Sequence, residues 1–323
     1  MKKPIFSDAN KTQFYTKPAL KWLACLLLLV LIQGCTNAKF VISPLYNRLD
    51  DQMRKEFNKL GDFNDEQVAA FEASLGTYHV WHRQRELPAY AQLMNEFADS
   101  IAVADSTSKA DIARWVDTVE QHTRALRECH PVNFSFDLIR SLTDKQLDFI
   151  EARFKKQQEK NIARYETRTR EERIDRRIRN VVKYAGRLGF DVTPTQRAML
   201  LSTFKRQNSL RKEYYQLSGE WNKQFFNLAR NQENPNYDAD MRLHLSSLWD
   251  LLENAHQEQW QGNRDLWKET GLRLVSSMTD DQRLEVSSWV RKLAKTLLAI
   301  SKDEPSFKMG NDPSVGCLVQ ETI

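Results

Sequence analysis

One short pattern occurs four times in this chain, and it commits the chain to helices. Phe63-Asn64-Asp65-Glu66-Gln67, Leu142-Thr143-Asp144-Lys145-Gln146, Val192-Thr193-Pro194-Thr195-Gln196 and Met278-Thr279-Asp280-Asp281-Gln282 share one order. An apolar residue is followed by Thr or Asn, and Gln comes three residues later. This is a capping box. The Thr or Asn oxygen accepts the amide of the third helical residue, and the Gln side chain reaches back to the cap amide. Asp65, Asp144 and Asp280 fill the first helical position, where negative charge meets the positive end of the helix dipole. Pro194 fills it where its missing N–H costs nothing. The four glutamines are unevenly spaced along the chain, which excludes a fixed-period solenoid.

Composition supports the same reading. The chain holds only 10 Gly and 9 Pro, and strand-like alternation of Val and Ile is almost absent. The expected fold is all-α, an elongated multi-helix bundle. From Thr143 the apolar positions step by 3 and 4 through Leu147, Ile150, Phe154, Ile174 and Ile178 to about Leu188, with Gly186 and Gly189 at the end. From Thr193 they continue through Leu200, Phe204, Tyr214, Trp221 and Phe225 to Leu228. The short turn between them predicts a long antiparallel helical hairpin. Its helices are about 50–70 Å long at about 1.5 Å per residue. Further helices are expected from Leu45 to Leu60, Pro88 to about Val103, Ser108 to Glu128 and Asp238 to about Thr270. Residues 129–136 read as a connector.

The first residues carry a different signal. Lys2, Lys3, Lys11, Lys17 and Lys21 precede an apolar run from Trp22 to Ile32. That run falls well short of the roughly 20 residues a spanning helix needs. A basic region before a short apolar one describes a secretory leader. Its end, Leu31-Ile32-Gln33-Gly34-Cys35, resembles a bacterial lipobox. The resemblance implies cleavage before Cys35, which would carry a thioether-linked diacylglycerol and an amide-linked fatty acid. Residue 36 is Thr, not the Asp that keeps such proteins in the inner membrane. The implied address is therefore the periplasmic face of the outer membrane. The expected organisation is a signal peptide at 1–34, a lipidated linker at 35–44, a helical domain at 45–302 and a flexible tail at 303–323.

Removing the leader changes the charge argument. The full chain has 48 basic and 43 acidic residues. Residues 1–34 hold the five lysines and Asp8, so the mature chain is nearly neutral. Nucleic-acid binding through net charge loses its support. Among the cysteines, Cys25 leaves with the leader and Cys35 is modified. Cys129 and Cys317 remain. An oxidising periplasm permits a disulfide between them, although no spacing motif requires it.

Trp81-His82-Arg83 followed by Glu86-Leu87-Pro88 and Tyr90 reads as a tight helical corner with an aromatic plug, where one helix ends and a Pro-started helix begins. Together with the lipobox and the Asn64-to-Gln67 helix start, it resembles an uncharacterised Gram-negative lipoprotein family, a domain of unknown function. The resemblance is clearest over residues 35–100, and Asn64 replaces the usual Thr. It brings no known activity. The four Thr-x-x-Gln starts also resemble the LTxxQ motifs of the Spy and CpxP periplasmic proteins, and that resemblance implies a chaperone-like or sensor role.

Chemistry-bearing motifs are sparse. His79-x-x-His82 places two imidazoles on one helix face, and Glu253-x-x-His256 copies half of a di-iron bundle motif without its second pair. Neither predicts a metal site, and no cofactor motif appears. Trp249, Trp260 and Trp267 read as core. The strongest charge feature lies in residues 153–187, where basic side chains outnumber acidic ones by more than two to one. Arg170, Arg173, Arg176 and Arg177 are the candidate anion or partner site, weighed against a solvated face with a Glu172–Arg176 pair. The expected function is a non-enzymatic binding or structural lipoprotein of the outer membrane, chaperone-like in one version. Its expected partners are the membrane through Cys35, and an envelope protein, lipopolysaccharide or peptidoglycan. The alternative is an envelope hydrolase whose site the sequence does not display.

Overall fold

The computed structural model describes Ser43, Tyr46 and residues 48–104, 106–130, 135–187 and 189–303. Every regular element among the described residues is helical. In chain order they are α1 (Leu49–Asn58), α2 (Asp65–Trp81), a π-helical turn (His82–Glu86), α3 (Leu87–Ala102) and α4 (Lys109–Glu128). Then come α5 (Phe136–Arg140), α6 (Asp144–Glu166), α7 (Arg170–Arg187), α8 (Pro194–Arg206) and α9 (Arg211–Arg230). The described residues close with α10 (Tyr237–Ser247), α11 (Leu251–Ala255), α12 (Gln257–Ser276) and α13 (Asp280–Lys302).

The π turn joins α2 to α3 into one rod, so no helix ends at Trp81. Pro88 supplies the reason. Its ring lacks an N–H and would clash with the carbonyl four residues back in a regular α-helix. The wider π turn, closed by Leu87 N–H donating to the His82 carbonyl, relieves that clash at the cost of one extra residue. This rod packs along α13, its most extensive helix partner. The pair runs antiparallel: Arg83 meets Ile300 at one end and Arg283 meets Ile101 at the other. Leu87, Ile101, Leu297 and Ile300 are buried completely, each worth about 1.5–3 kcal/mol.

The four repeated helix starts form all four capping boxes. They also do something the sequence does not announce: they pair. Gln67 Nε2 donates to Gln146 Oε1 at 3.2 Å, and Gln146 Nε2 donates to Gln67 Oε1 at 2.8 Å. The remaining amide protons go to the carbonyls of Ser141 and Asp62. Gln196 and Gln282 repeat the arrangement at 2.8 and 3.0 Å, with Ser277 and Asp191 as carbonyl acceptors. In each case the carbonyl belongs to the residue two before the partner's cap. Each glutamine thus uses both protons and both lone pairs of its amide. The first clasp ties the start of α2 to α6, and the second ties α8 to α13.

Between the clasps lie α6 and α7, packed against α9 and α8. Their partners run in opposite senses: Arg230 bonds Asp148 and Glu151, Gln158 bonds the Tyr215 carbonyl, and Arg170 bonds the Lys205 carbonyl. Neither expected long helix is continuous. The first breaks at 167–169 because Thr169 opens a new capping box. Its hydroxyl accepts Glu172 N–H at 3.2 Å, and its own N–H donates to the Glu172 carboxylate at 2.8 Å. The second breaks at 207–210, where the Asn263 side chain both accepts from Asn208 N–H and donates to its carbonyl. The longest uninterrupted piece of the four, α6, is therefore about 35 Å. At the far end of α7, Gly189 takes φ +90° and Phe190 N–H reaches back to the Ala185 carbonyl, a helix stop that favours glycine.

The helix expected from Asp238 to Thr270 is also divided. The Trp221 indole N–H and the Ser247 hydroxyl both donate to the His244 carbonyl, which takes it from the helical ladder and ends α10. The expected helix from Ser108 to Glu128 is present with Ser108 as its cap, and the expected Leu45–Leu60 helix is α1, over Leu49–Asn58. The leader, the linker cysteine Cys35 and the tail beyond 303 lie outside the described residues. No helix among the described residues is long and apolar enough to cross a membrane.

Candidate functional site

The Trp-His-Arg segment builds a buried polar cluster at the π turn. His82 Nδ1 lies 2.9 Å from the Tyr46 hydroxyl. Arg83, 1% exposed, donates to the Ile300 carbonyl at 2.9 Å and approaches His79 Nε2 at 3.1 Å. Its guanidinium also lies over the Tyr46 ring. Glu86 Oε2 meets His122 Nδ1 at 3.0 Å, and the Tyr90 ring stands edge-on to His122. Burial, reinforced by His79 and Arg83, holds the His82 pKa down to about 3. Burial and the Glu86 carboxylate push the Tyr78 and Tyr90 hydroxyls far above their usual range. The arrangement fixes neutral rings and ends a helix. Arg83 caps the C-terminal carbonyls of α13, and Arg283 does the same at the other end, donating to the Ile101 and Val275 carbonyls. The two histidines of His79-x-x-His82 thus hydrogen-bond to different groups, Arg83 and the Tyr46 hydroxyl, while both rings lie against the Tyr46 ring. No group of three or more His, Cys, Asp or Glu residues able to hold a metal ion occurs among the described residues.

The basic segment is drawn together around the two helix breaks. Arg170 donates to the carbonyls of Lys205 and Gln207, at the C-terminal end of α8. Arg173 donates to the Tyr165 and Arg168 carbonyls at the end of α6 and lies 4.1 Å over the Tyr165 ring. Arg177 donates to the Gln207 side chain and lies over the Phe204 ring. Burial and the neighbouring cations Arg211 and Arg173 lower its pKa. Three of the four sequence-marked arginines therefore hold carbonyls, amides or rings left over by the breaks, and cations at helix C-termini are favoured electrostatically. Arg176 is exposed. The Glu172–Arg176 pair does not form, because Glu172 is spent on the Thr169 cap.

Arg170 also lines a groove between α7 and α8, together with Ile174, Ile178, Arg197, Leu201 and Lys205. Arg197 and Lys205 were not among the residues marked by local charge. Their signal is the spacing: Arg197, Leu201 and Lys205 recur every four residues and so share one face of α8.

Residues 59–253 match the model of a family described as a family of unknown function, DUF6279. The chain belongs to this family. The match contains the first clasp, the basic segment and the π-turn cluster apart from Tyr46 and Ile300, while α13 and the partner half of the second clasp lie beyond it. No curated protein matches the chain, and no solved structure matches it.

Proposed function

We propose that this DUF6279 chain is a lipoprotein held through Cys35 to the periplasmic face of the outer membrane. Its role there is binding or structure, with the basic face of α7 turned toward an anionic envelope component. The observation that carries the compartment is Cys129. It is disulfide-bonded, and disulfides persist in oxidising compartments such as the periplasm. Three acyl chains exceed the two signals that stable anchoring needs. The buried histidines and tyrosines are absorbed by packing and helix ends, which supports a non-enzymatic role. The Gln clasps give the LTxxQ-like starts a structural duty, and a chaperone-like function does not follow from them.

The test is Cys35→Ser in the full chain, expressed in a Gram-negative host and followed by membrane fractionation and mass spectrometry. The parent is expected in outer-membrane fractions with an acylated N-terminal cysteine. The variant is expected to stay uncleaved. Outer-membrane recovery of a cleaved, unacylated variant at parental levels overturns the reading.

A further inference from the structure

The groove between α7 and α8 has a composition that fits one kind of ligand. Its volume is about 440 Å³. Its floor is apolar, made by the buried Ile174 and Ile178 and by Leu201, which is 37% exposed despite its chemistry. Two walls carry charge. Arg197 and Lys205 stand on α8, and their side chains are exposed and make no hydrogen bond or ion pair among the described residues. Arg170 closes one end, held in place by the Lys205 carbonyl at 2.6 Å. Two carboxylates share the rim. Asp175 is paired with Arg179, and Glu171 is exposed. Because α7 and α8 run antiparallel, Val182, 38% exposed, continues the α7 stripe 175–178–182 toward the level of Arg197. Exposed apolar side chains flanked by Arg and Lys on a helical face are the composition of an interfacial membrane element.

We infer that this groove is a second membrane contact, binding the headgroup phosphate of an anionic glycerophospholipid in the bilayer that the anchor occupies. Arg197 and Lys205 take the phosphate oxygens, Arg170 presents further N–H donors, and Leu201 and Val182 rest among the glycerol and upper acyl region. The inference rests on the anchored-lipoprotein reading and deepens it. Phosphate suits this site because guanidinium and ammonium groups outnumber the rim carboxylates, one of which, Asp175, is already paired with Arg179. A lipid suits it better than a free anion because the floor and the exposed Leu201 and Val182 are apolar. Glu171 works against the anion, so its removal has the opposite sign.

The experiment uses the full chain and variants that leave the leader and anchor segment unchanged. Co-sedimentation compares vesicles of phosphatidylcholine alone with vesicles containing phosphatidylglycerol. The anchor contributes to both, so the groove is read as the ratio of the two affinities. Arg197→Gln and Lys205→Gln are each expected to lower that ratio about fivefold, since a cation at an anionic surface is worth about 1 kcal/mol. Glu171→Gln is expected to raise it, and Leu201→Ser to lower binding to phosphatidylglycerol vesicles. Circular dichroism melts should not move, because these side chains are exposed. A ratio unchanged in both cation variants overturns the groove, while loss of all vesicle binding in Cys35→Ser alone bears only on the anchor. Retention of the preference in millimolar inorganic phosphate is expected. Its abolition there overturns the lipid assignment and reassigns the site to a free anion.

Discussion

The chain uses the same helix-start chemistry in two ways, at the clasps and at the break before α7. At the clasps the third residue of the box is Gln and two boxes face each other. At the break it is Glu172 and the box stands alone in solvent. The difference lies in hydrogen-bond capacity. A carboxylate closes a single box as well as an amide does, and its charge even favours the helix N-terminus. Two boxes placed end to end need groups that donate as well as accept, and only the amide does both. Gln67, Gln196 and Gln282 are 2–5% exposed, so a carboxylate there would be a buried charge facing the partner glutamine's oxygen and the carbonyl two residues before the partner's cap. The third-position residue thus separates a local cap from a tertiary joint.

Gln282→Glu attacks that comparison hardest. It removes both donated bonds to Gln196 and Asp191 and leaves a buried carboxylate, at an expected cost of about 3 kcal/mol. Burial raises the pKa of the new carboxyl, so the loss should shrink on acidification, when the protonated group can donate again. A urea titration showing less than about 0.5 kcal/mol of loss would mean the clasp is decorative.

The π-turn cluster offers a second contrast by pH. His82 has a folded pKa of about 3, below the usual unfolded value of about 6.5. Its contribution is therefore complete above the unfolded value and is lost as pH falls toward the folded one. Going from pH 7 to pH 5 should cost about 2 kcal/mol through this residue. His82→Gln should flatten that part of the stability–pH curve, and an unaltered slope would show that His82 takes up its proton as readily folded as unfolded. The smallest effect is expected from Glu172→Gln, within about 0.5 kcal/mol, because an amide closes an exposed single box nearly as well. A loss comparable to that of Gln282→Glu would erase the distinction between cap and joint.

What could be read from the sequence follows from range. All four Thr/Asn-x-x-Gln starts, the Ser108 start and the Gly189 stop are local devices, and each sits where the residues place it. The continuous long helices failed because their interruptions depend on contacts across the fold. Thr169-Arg170-Glu171-Glu172 is itself a box that the apolar period runs through. The 207–210 break needs Asn263, 55 residues downstream of Asn208. The π turn was misread as a helix end because Pro88 signals a stop by local rules, while packing against α13 keeps the rod going. The arginine cluster was visible as charge, but which arginines are spent internally depends on where the helices break. Arg197 and Lys205 join Arg170 only through the antiparallel packing of α7 and α8. DUF6279 membership adds no residue roles.

Arg83 and Arg283 bond across 217 and 182 residues of chain respectively. The first clasp, by contrast, closes within 79 residues and lies wholly upstream of α7. A chain delivered N-terminus first can therefore form the α2–α6 joint early. The face of the α2–α3 rod that α13 covers stays exposed until α13 has emerged. Loop closure over such separations is slow, and uncovered helices of this kind are where aggregation begins. Stalling or truncating the chain before α13 should therefore leave a species that needs protection from its neighbours, whatever the finished protein does.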